Sequence, residues 1–171
     1  AADRPLRAAL GEAGRRRVLA RSVLVVAGDG PLRARLERAA FRASLPVRFA
    51  GFVTDPKELA ILLASTDVVI APGPVETFGL AALEALACGT PVVVSASSAL
   101  PEVVATAGIA VTGEDFAGGV RAILARDAIA RRAAARARAE EFGWPASVTA
   151  FLAVHEALNT DSFRPLGQVQ T

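Results

Sequence analysis

A chain of 171 residues has room for one ordinary domain, its 53% apolar composition supplies a sizeable core, and 21% charged residues is too few for a disordered tail. The single cysteine, Cys88, excludes an intrachain disulfide and a cysteine-built zinc cage, and the single histidine, His155, removes most histidine metal sites. The net charge of +2 divides into +7 over residues 1–50 and −5 over residues 51–171, so the first part suits phosphate or anionic lipid as well as solvated helix faces.

In chain order, Leu6–Ala20 reads as a helix interrupted by Gly11 and Gly14, leading directly into a β-branched run at Ser22–Ala27. A helix-period stretch follows at Pro31–Ser44, a strand at Val47–Ala50, a helix at Pro56–Ser65 and a strand at Asp67–Ala71. Next come a helix at Phe78–Cys88, a strand at Pro91–Val94, a short helix at Pro101–Ala105 and a strand at Gly108–Val111. Three helices close the pattern: Asp115–Ala125, Asp127–Glu141 and Pro145–Leu158. Pro31, Pro56, Pro101 and Pro145 stand at or near first-turn positions, and Gly89 stands where the helix ending at Cys88 should stop.

Continuous apolar strands separated by helices imply a parallel sheet buried on both faces, hence an α/β, Rossmann-like, doubly wound fold. The domain is expected to occupy residues 1–158, with 159–171 a loose tail. No strand precedes Leu6–Ala20: either the domain opens with a helix, or the fold lacks its first strand, which is normally central in an open α/β sheet. The run RRAAARARAEE around Ala130–Glu141 favours an exposed helix. Only Lys57 among the 19 basic residues is lysine; the alanine and arginine excess reads as high-GC codon usage. No apolar run approaches the roughly 20 residues of a bilayer-spanning helix, and no secretory signal opens the chain. A soluble, reduced, cytoplasmic protein is the expectation. With 5% aromatics and no tyrosine, stacking platforms for nucleic acid are not expected.

Open α/β sheets bind ligands at the C-terminal ends of their strands, and three loops lie there. Gly28, Asp29 and Gly30, before Pro31, permit a tight turn and close backbone approach, as any strand-to-helix turn requires. Ala71–Leu80 carries Glu76 just ahead of a helix start, where free N–H groups at Thr77, Phe78, Gly79 and Leu80 can hold phosphate; Glu76 can equally cap that helix. Glu84 follows eight residues after Glu76 on an apolar helix, which is costly unless it is exposed or partnered. It can belong to a site, or to an exposed face with Leu80, Leu83, Leu86 and Ala87 as the buried stripe. Ser95–Glu102 is small and polar, and is either a sugar- or phosphate-contacting loop or a plain connection.

The segment VETFGLAALEALACGTPVV resembles the E-x7-E signature of retaining, GT-B-fold glycosyltransferases of the glycogen-synthase and mannosyltransferase type. VVAGDGPLRARLE, VRFAGFV, LLASTDVVIAPG, ALPEVV and FGWPASVTAFLAVHEAL match the same family in the same order, so the resemblance runs from about Leu19 to Leu158. It implies the C-terminal, donor-binding half of an enzyme built from two facing Rossmann-like domains. Glu76 would contact the transferred sugar as the catalytic-site carboxylate, and Glu84 the ribose hydroxyls. Backbone N–H groups of Phe78, Gly79 and Leu80 would meet sugar and diphosphate. Phe52 and Val53 would border the base, and Gly28–Pro31 would form the glycine loop. Trp144 reads as a packing anchor on a terminal helix that crosses back to the partner domain.

The resemblance further implies a sugar nucleotide as substrate, with no cofactor and no metal, since no D-x-D element occurs. Partners would be the nucleotide-diphosphate sugar and an N-terminal acceptor domain absent from these residues. A lipid acceptor would place the protein at the inner face of the membrane. GDP-mannose is the favoured donor. The family's G-R-x-x-x-x-K-G segment, whose Arg and Lys neutralise the diphosphate, does not occur in this sequence. The expectation is therefore a chain inactive in isolation. Two alternatives stand beside a transferase fragment: a non-catalytic nucleotide-sugar-binding or scaffold module, and a flavodoxin-like interaction domain.

Overall fold

The run Pro91–Ser95 behaves as its composition demands. Strand β4 (Val92–Ser95) is the middle strand of a parallel sheet β3–β4–β5, with β3 at Val69–Ala71 and β5 at Ile109–Val111. The register pairs Val69 with Val92 and Val93 with Ile109. Val92, Val93 and Val94 are wholly buried. Successive strand residues face opposite ways, so a middle strand covered on both faces needs an unbroken apolar run. The computed structural model describes residues 22–160; the helix expected at Leu6–Ala20 and the tail beyond Thr160 lie outside the described residues.

Packing divides the chain into two compact units, with the division falling after Leu59. The first holds β1 (Leu24–Ala27), α1 (Arg33–Arg42) and β2 (Val47–Gly51), with β1 and β2 paired in parallel as a sheet of their own. Helix α2 (Pro56–Ser65) contains the division. The second unit continues with β3, α3 (Leu80–Ala87), β4, α4 (Leu100–Val104), a 3-10 turn at Ala105–Ala107, β5, α5 (Phe116–Leu124), α6 (Ala128–Glu140) and α7 (Trp144–Thr160).

Each strand expected between Ser22 and Val111 forms, and among the described residues they make two separate parallel sheets, β1–β2 and β3–β4–β5. Burial on both faces, expected of every strand, holds only for β4. Leu24 on β1 is 50% exposed and Ile70 on β3 is 38% exposed. Among the described residues each of these strands pairs on one side, whereas β4 pairs on both.

The main core lies on the Val92 and Val94 face, where Ala82, Ala85, Leu86, Leu100, Val104, Ala107 and Ala135 gather from α3, α4, the 3-10 turn and α6. Helix α5 lies against the opposite face: a Cβ on Gly119 would fall 2.6 Å from Val93 Cγ1 and 2.9 Å from Val111 Cγ1, so only glycine permits that approach. Helix starts are capped as the aspartates suggest. Asp115 accepts from the Gly118 N–H at 2.8 Å, and Asp127 from those of Ile129 and Ala130 at 3.1 and 2.8 Å. Buried Thr90 donates its hydroxyl to Leu63 O at 2.8 Å.

Helix α6 departs from the exposed helix expected of RRAAARARAEE. One face is packed: Ala135 is wholly buried and Ala139 lies against the core. The arginines flanking that face donate to carbonyls that helices leave unpaired at their C-terminal ends. Arg132 reaches Ala64 O and Thr66 O at 3.1 and 2.6 Å, at the end of α2. Arg136 reaches Ala87 O at 2.9 Å, the last residue of α3. Arg138 reaches Val103 O and Glu102 O at 2.9 and 2.6 Å, at the end of α4. Just before α6, Arg126 reaches Thr106 O at 3.0 Å. The arginine bias of this stretch therefore has a structural use that composition alone did not reveal, because each partner is a backbone carbonyl brought close only by the fold.

Helix α7 presents Trp144, Phe151 and Leu158 at 84%, 73% and 70% exposure. Trp144 is not a packing anchor within this structure; it stands at the head of α7, where no other described element covers it. No helix among the described residues is long and apolar enough to cross a membrane.

Candidate functional site

Each strand's C-terminal end opens into one of the expected loops. In the first unit the Gly28 N–H donates to Gly51 O at 2.7 Å, which draws the Gly28–Gly30 turn beside the start of Phe52–Val53. Asp29 is engaged locally: one oxygen accepts from the Gly30 N–H at 2.8 Å and the other pairs with Arg33 at 3.1 Å. Arg33 also pairs with Glu37 at 2.8 Å, and the hydrogen bonds it donates to Glu37 and then to Asp29 raise the guanidinium pKa above its ordinary value. Phe52 is 75% exposed and Val53 half-buried. A shallow, open depression in this unit is lined by Glu37, Arg38, Phe41 and Arg42, which include none of the residues expected at the site.

In the second unit the segment after β3 carries Glu76, Thr77, Phe78, Gly79 and Leu80. The helix begins at Leu80, two residues later than expected, because Gly79 adopts a left-handed φ of +79° as its N-cap. A Cβ there would lie far inside van der Waals contact with Leu100 Cδ2, and Gly79 is buried. The Glu76 carboxylate accepts from the Thr77 N–H at 3.1 Å, so Thr77 is not one of the free donors expected. Among the described residues, no hydrogen bond engages the N–H groups of Phe78, Gly79 or Leu80. Glu76 does not cap α3 through its side chain, since α3 has no side-chain cap bond.

Glu84 is exposed, and among the described residues its carboxylate has no hydrogen-bond or ion-pair partner. The buried stripe of α3 is Ala82, Ala85 and Leu86. It is not the stripe expected through Leu80, which is 66% exposed. Four residues apart, Leu80 and Glu84 share the outer face. Glu84 thus stands about 6 Å along the helix axis from the residue that opens it. The outcome is a helix head with three unengaged N–H donors and a carboxylate just over one turn below them, on an open surface.

The segment Ser95–Glu102 has a part that reading its hydroxyls did not supply. Ser95 Oγ accepts from the Ser97 N–H at 3.3 Å; Ser98 Oγ donates to Ser95 O at 2.8 Å and accepts from the Leu100 N–H at 3.2 Å. Both hydroxyls take part in hydrogen bonds within the loop. The Ala99 N–H donates to Glu76 O at 3.2 Å, and Leu100 lies beneath Gly79, so the segment is the seat of the Glu76 loop. Phe142 also reaches this loop, packing edge-to-face on Phe78 with ring centroids 5.9 Å apart. No spacing in the sequence signals either contact, since Leu100 and Phe142 lie 21 and 63 residues beyond Gly79.

Residues 8–126 match the model of the family described as "Glycosyl transferases group 1". The chain belongs to this family of glycosyltransferases. It is 53% identical over 138 residues to a GDP-mannose-dependent alpha-(1-6)-phosphatidylinositol dimannoside mannosyltransferase of Mycobacterium tuberculosis, an alignment covering 79% of this chain and 36% of that protein. It is 41% identical over 98 residues to a D-inositol 3-phosphate glycosyltransferase of Geodermatophilus obscurus, covering 54% of this chain and 22% of that one. Among solved structures, sucrose-phosphate synthase from Thermosynechococcus elongatus superposes with a TM-score of 0.62 at 32% identity, covering 82% of this chain and 39% of that chain. Anabaena HepE in complex with UDP gives 0.61 at 25%, covering 80% and 40%. These neighbours are GT-B glycosyltransferases, and the α/β fold with parallel sheets matches theirs. The chain spans about two fifths of the length of the relatives it matches over most of its own length.

Proposed function

We propose that this chain is the donor-binding part of a retaining hexosyltransferase that moves mannose from GDP-mannose to a lipid or glycan acceptor. The observation that carries the reading is the outer face of α3: three unengaged N–H groups at Phe78, Gly79 and Leu80 above an unpartnered Glu84. A helix head of this kind suits a diphosphate. A carboxylate suits a pair of vicinal hydroxyls, because it accepts two hydrogen bonds through charge-assisted oxygens. Glu84 is assigned to the ribose and Glu76 to the transferred sugar. Gly28, Asp29, Gly30, Phe52 and Val53 are assigned to the donor on the family resemblance alone.

The mannose donor rests on the M. tuberculosis relative, which is named as GDP-mannose-dependent. The same relative acts on a phosphatidylinositol dimannoside, which supports a lipid acceptor and work at the inner membrane surface. No G-R-x-x-x-x-K-G segment occurs in the 171 residues. Leaving-group charge would then go unneutralised, and the isolated chain binds donor without turning it over.

Calorimetric titration of the chain with GDP-mannose, GDP, UDP and UDP-glucose tests the reading. Removing a charge-assisted hydrogen-bond partner costs about 1.5–3 kcal/mol. Glu84→Ala should therefore weaken GDP-mannose binding by roughly 10- to 150-fold. Equal affinity in parent and variant, or no binding of any nucleotide by the parent, rejects it. A preference for uridine nucleotides rejects the donor base alone.

A further inference from the structure

The three unengaged amides have their directions set by the backbone of Phe78 and Gly79, yet the preceding residues Pro72–Thr77 are exposed and belong to no helix or strand. Something must hold Phe78 still. Two restraints come from the neighbouring loop: the Ala99 N–H on Glu76 O, and Leu100 beneath Gly79.

The third restraint comes from beyond α6. The Phe142 ring meets the Phe78 ring edge-to-face, with centroids 5.9 Å apart and planes at 78°. This is the arrangement favoured by the opposite charges of ring edge and ring face. Phe142 is itself fixed. Its N–H donates to Ala139 O at 3.1 Å, and the Arg138 guanidinium carbon stands 4.7 Å from its ring centroid. Arg138 in turn is held by Val103 O and Glu102 O at 2.9 and 2.6 Å and by an ion pair with Glu141. A chain of contacts thus runs from the backbone of α4, through Arg138 and Phe142, to Phe78. An arginine with several fixed acceptors has little freedom left to lose, so it can hold a ring in place.

We propose that Phe142, braced by Arg138, is a positioning residue that holds Phe78 so that the amides of Phe78, Gly79 and Leu80 converge on one anionic group. The ordering of the loop stands on these contacts alone; the identity of the anion as the donor diphosphate rests on the function proposed above. Phe142 touches no ligand in this scheme and acts only through Phe78.

The test uses the whole 171-residue chain and compares the parent with Phe142→Ala, Phe142→Leu and Phe142→Tyr. Amide ¹⁵N relaxation reads the loop directly. Order parameters at Phe78, Gly79 and Leu80 should fall from about 0.85 toward 0.6 in Phe142→Ala. They should recover in Phe142→Tyr, while Val92–Val94 stay unchanged in every variant. Phe142→Leu keeps apolar bulk without the ring, should behave as Phe142→Ala, and serves if the smaller variant does not fold. In titrations, GDP affinity should drop about tenfold in Phe142→Ala, worth about 1.4 kcal/mol, with guanosine affinity unmoved because it has no diphosphate.

Unchanged order parameters in Phe142→Ala, or full order in Phe142→Leu, overturn the proposal. So does a disordered loop with undiminished GDP affinity. A parent chain that binds no nucleotide defeats the donor assignment, while the relaxation arm still decides whether Phe142 holds the loop.

Discussion

Replacing Gly79 by alanine tests the packing on which the candidate site depends. Its φ of +79° is a conformation that costs an L-residue about 1–2 kcal/mol. The new methyl would overlap Leu100 Cδ2, so the Leu100 side chain, only 2% exposed, would have to shift within the core. Overpacking of that kind costs a further 1–3 kcal/mol or so. The expected loss is about 2–5 kcal/mol, a large share of the roughly 5–15 kcal/mol that holds a domain together. Leu100→Ala alone should cost about 2–5 kcal/mol through its cavity. In the double variant the overlap disappears and only the backbone term of Gly79→Ala remains. The double variant should therefore be more stable than the sum of the singles predicts, by about 1–3 kcal/mol. Urea unfolding followed by far-ultraviolet circular dichroism gives the four free energies of the cycle. A neutral Gly79→Ala, or strict additivity within about 0.5 kcal/mol, would refute the claim that Leu100 is the seat of Gly79.

Arg132→Ala should lower stability by about 1–3 kcal/mol through loss of its bonds to Ala64 O and Thr66 O. Arg132→Lys should restore only part, since an ammonium cannot fork to two carbonyls as a guanidinium does; urea midpoints decide. Asp127→Ala should cost about 1 kcal/mol by exposing the first N–H groups of α6, with Asp127→Asn nearly neutral. Equal loss in both Asp127 variants would show that charge, not capping, is what Asp127 supplies.

Much of the fold was legible because its signals are local. Pro56, Pro101 and Pro145 stand in the first turns of α2, α4 and α7, and Gly89 turns left-handed just past α3, since fixed or permissive φ values act on single residues. The strand runs were legible because β-branched residues favour extended chain wherever they pack. The family resemblance was legible in the spacing of Glu76 and Glu84, one just ahead of a helix and the other within it.

What residues in sequence order could not show is which neighbours each of them meets. Runs of similar apolar character gave a strand buried throughout at Val92–Val94 and a half-exposed one at Leu24, because burial depends on what the fold packs around each strand. The arginines of α6 looked like compositional bias until the ends of α2, α3 and α4 were brought against them. Local chemistry determined that this chain alternates strands and helices and carries two glutamates at the head of one helix. Only the tertiary structure decided that Leu100 supports Gly79 and Phe142 braces Phe78, because packing joins residues by distance in space, to which the order of the chain is blind.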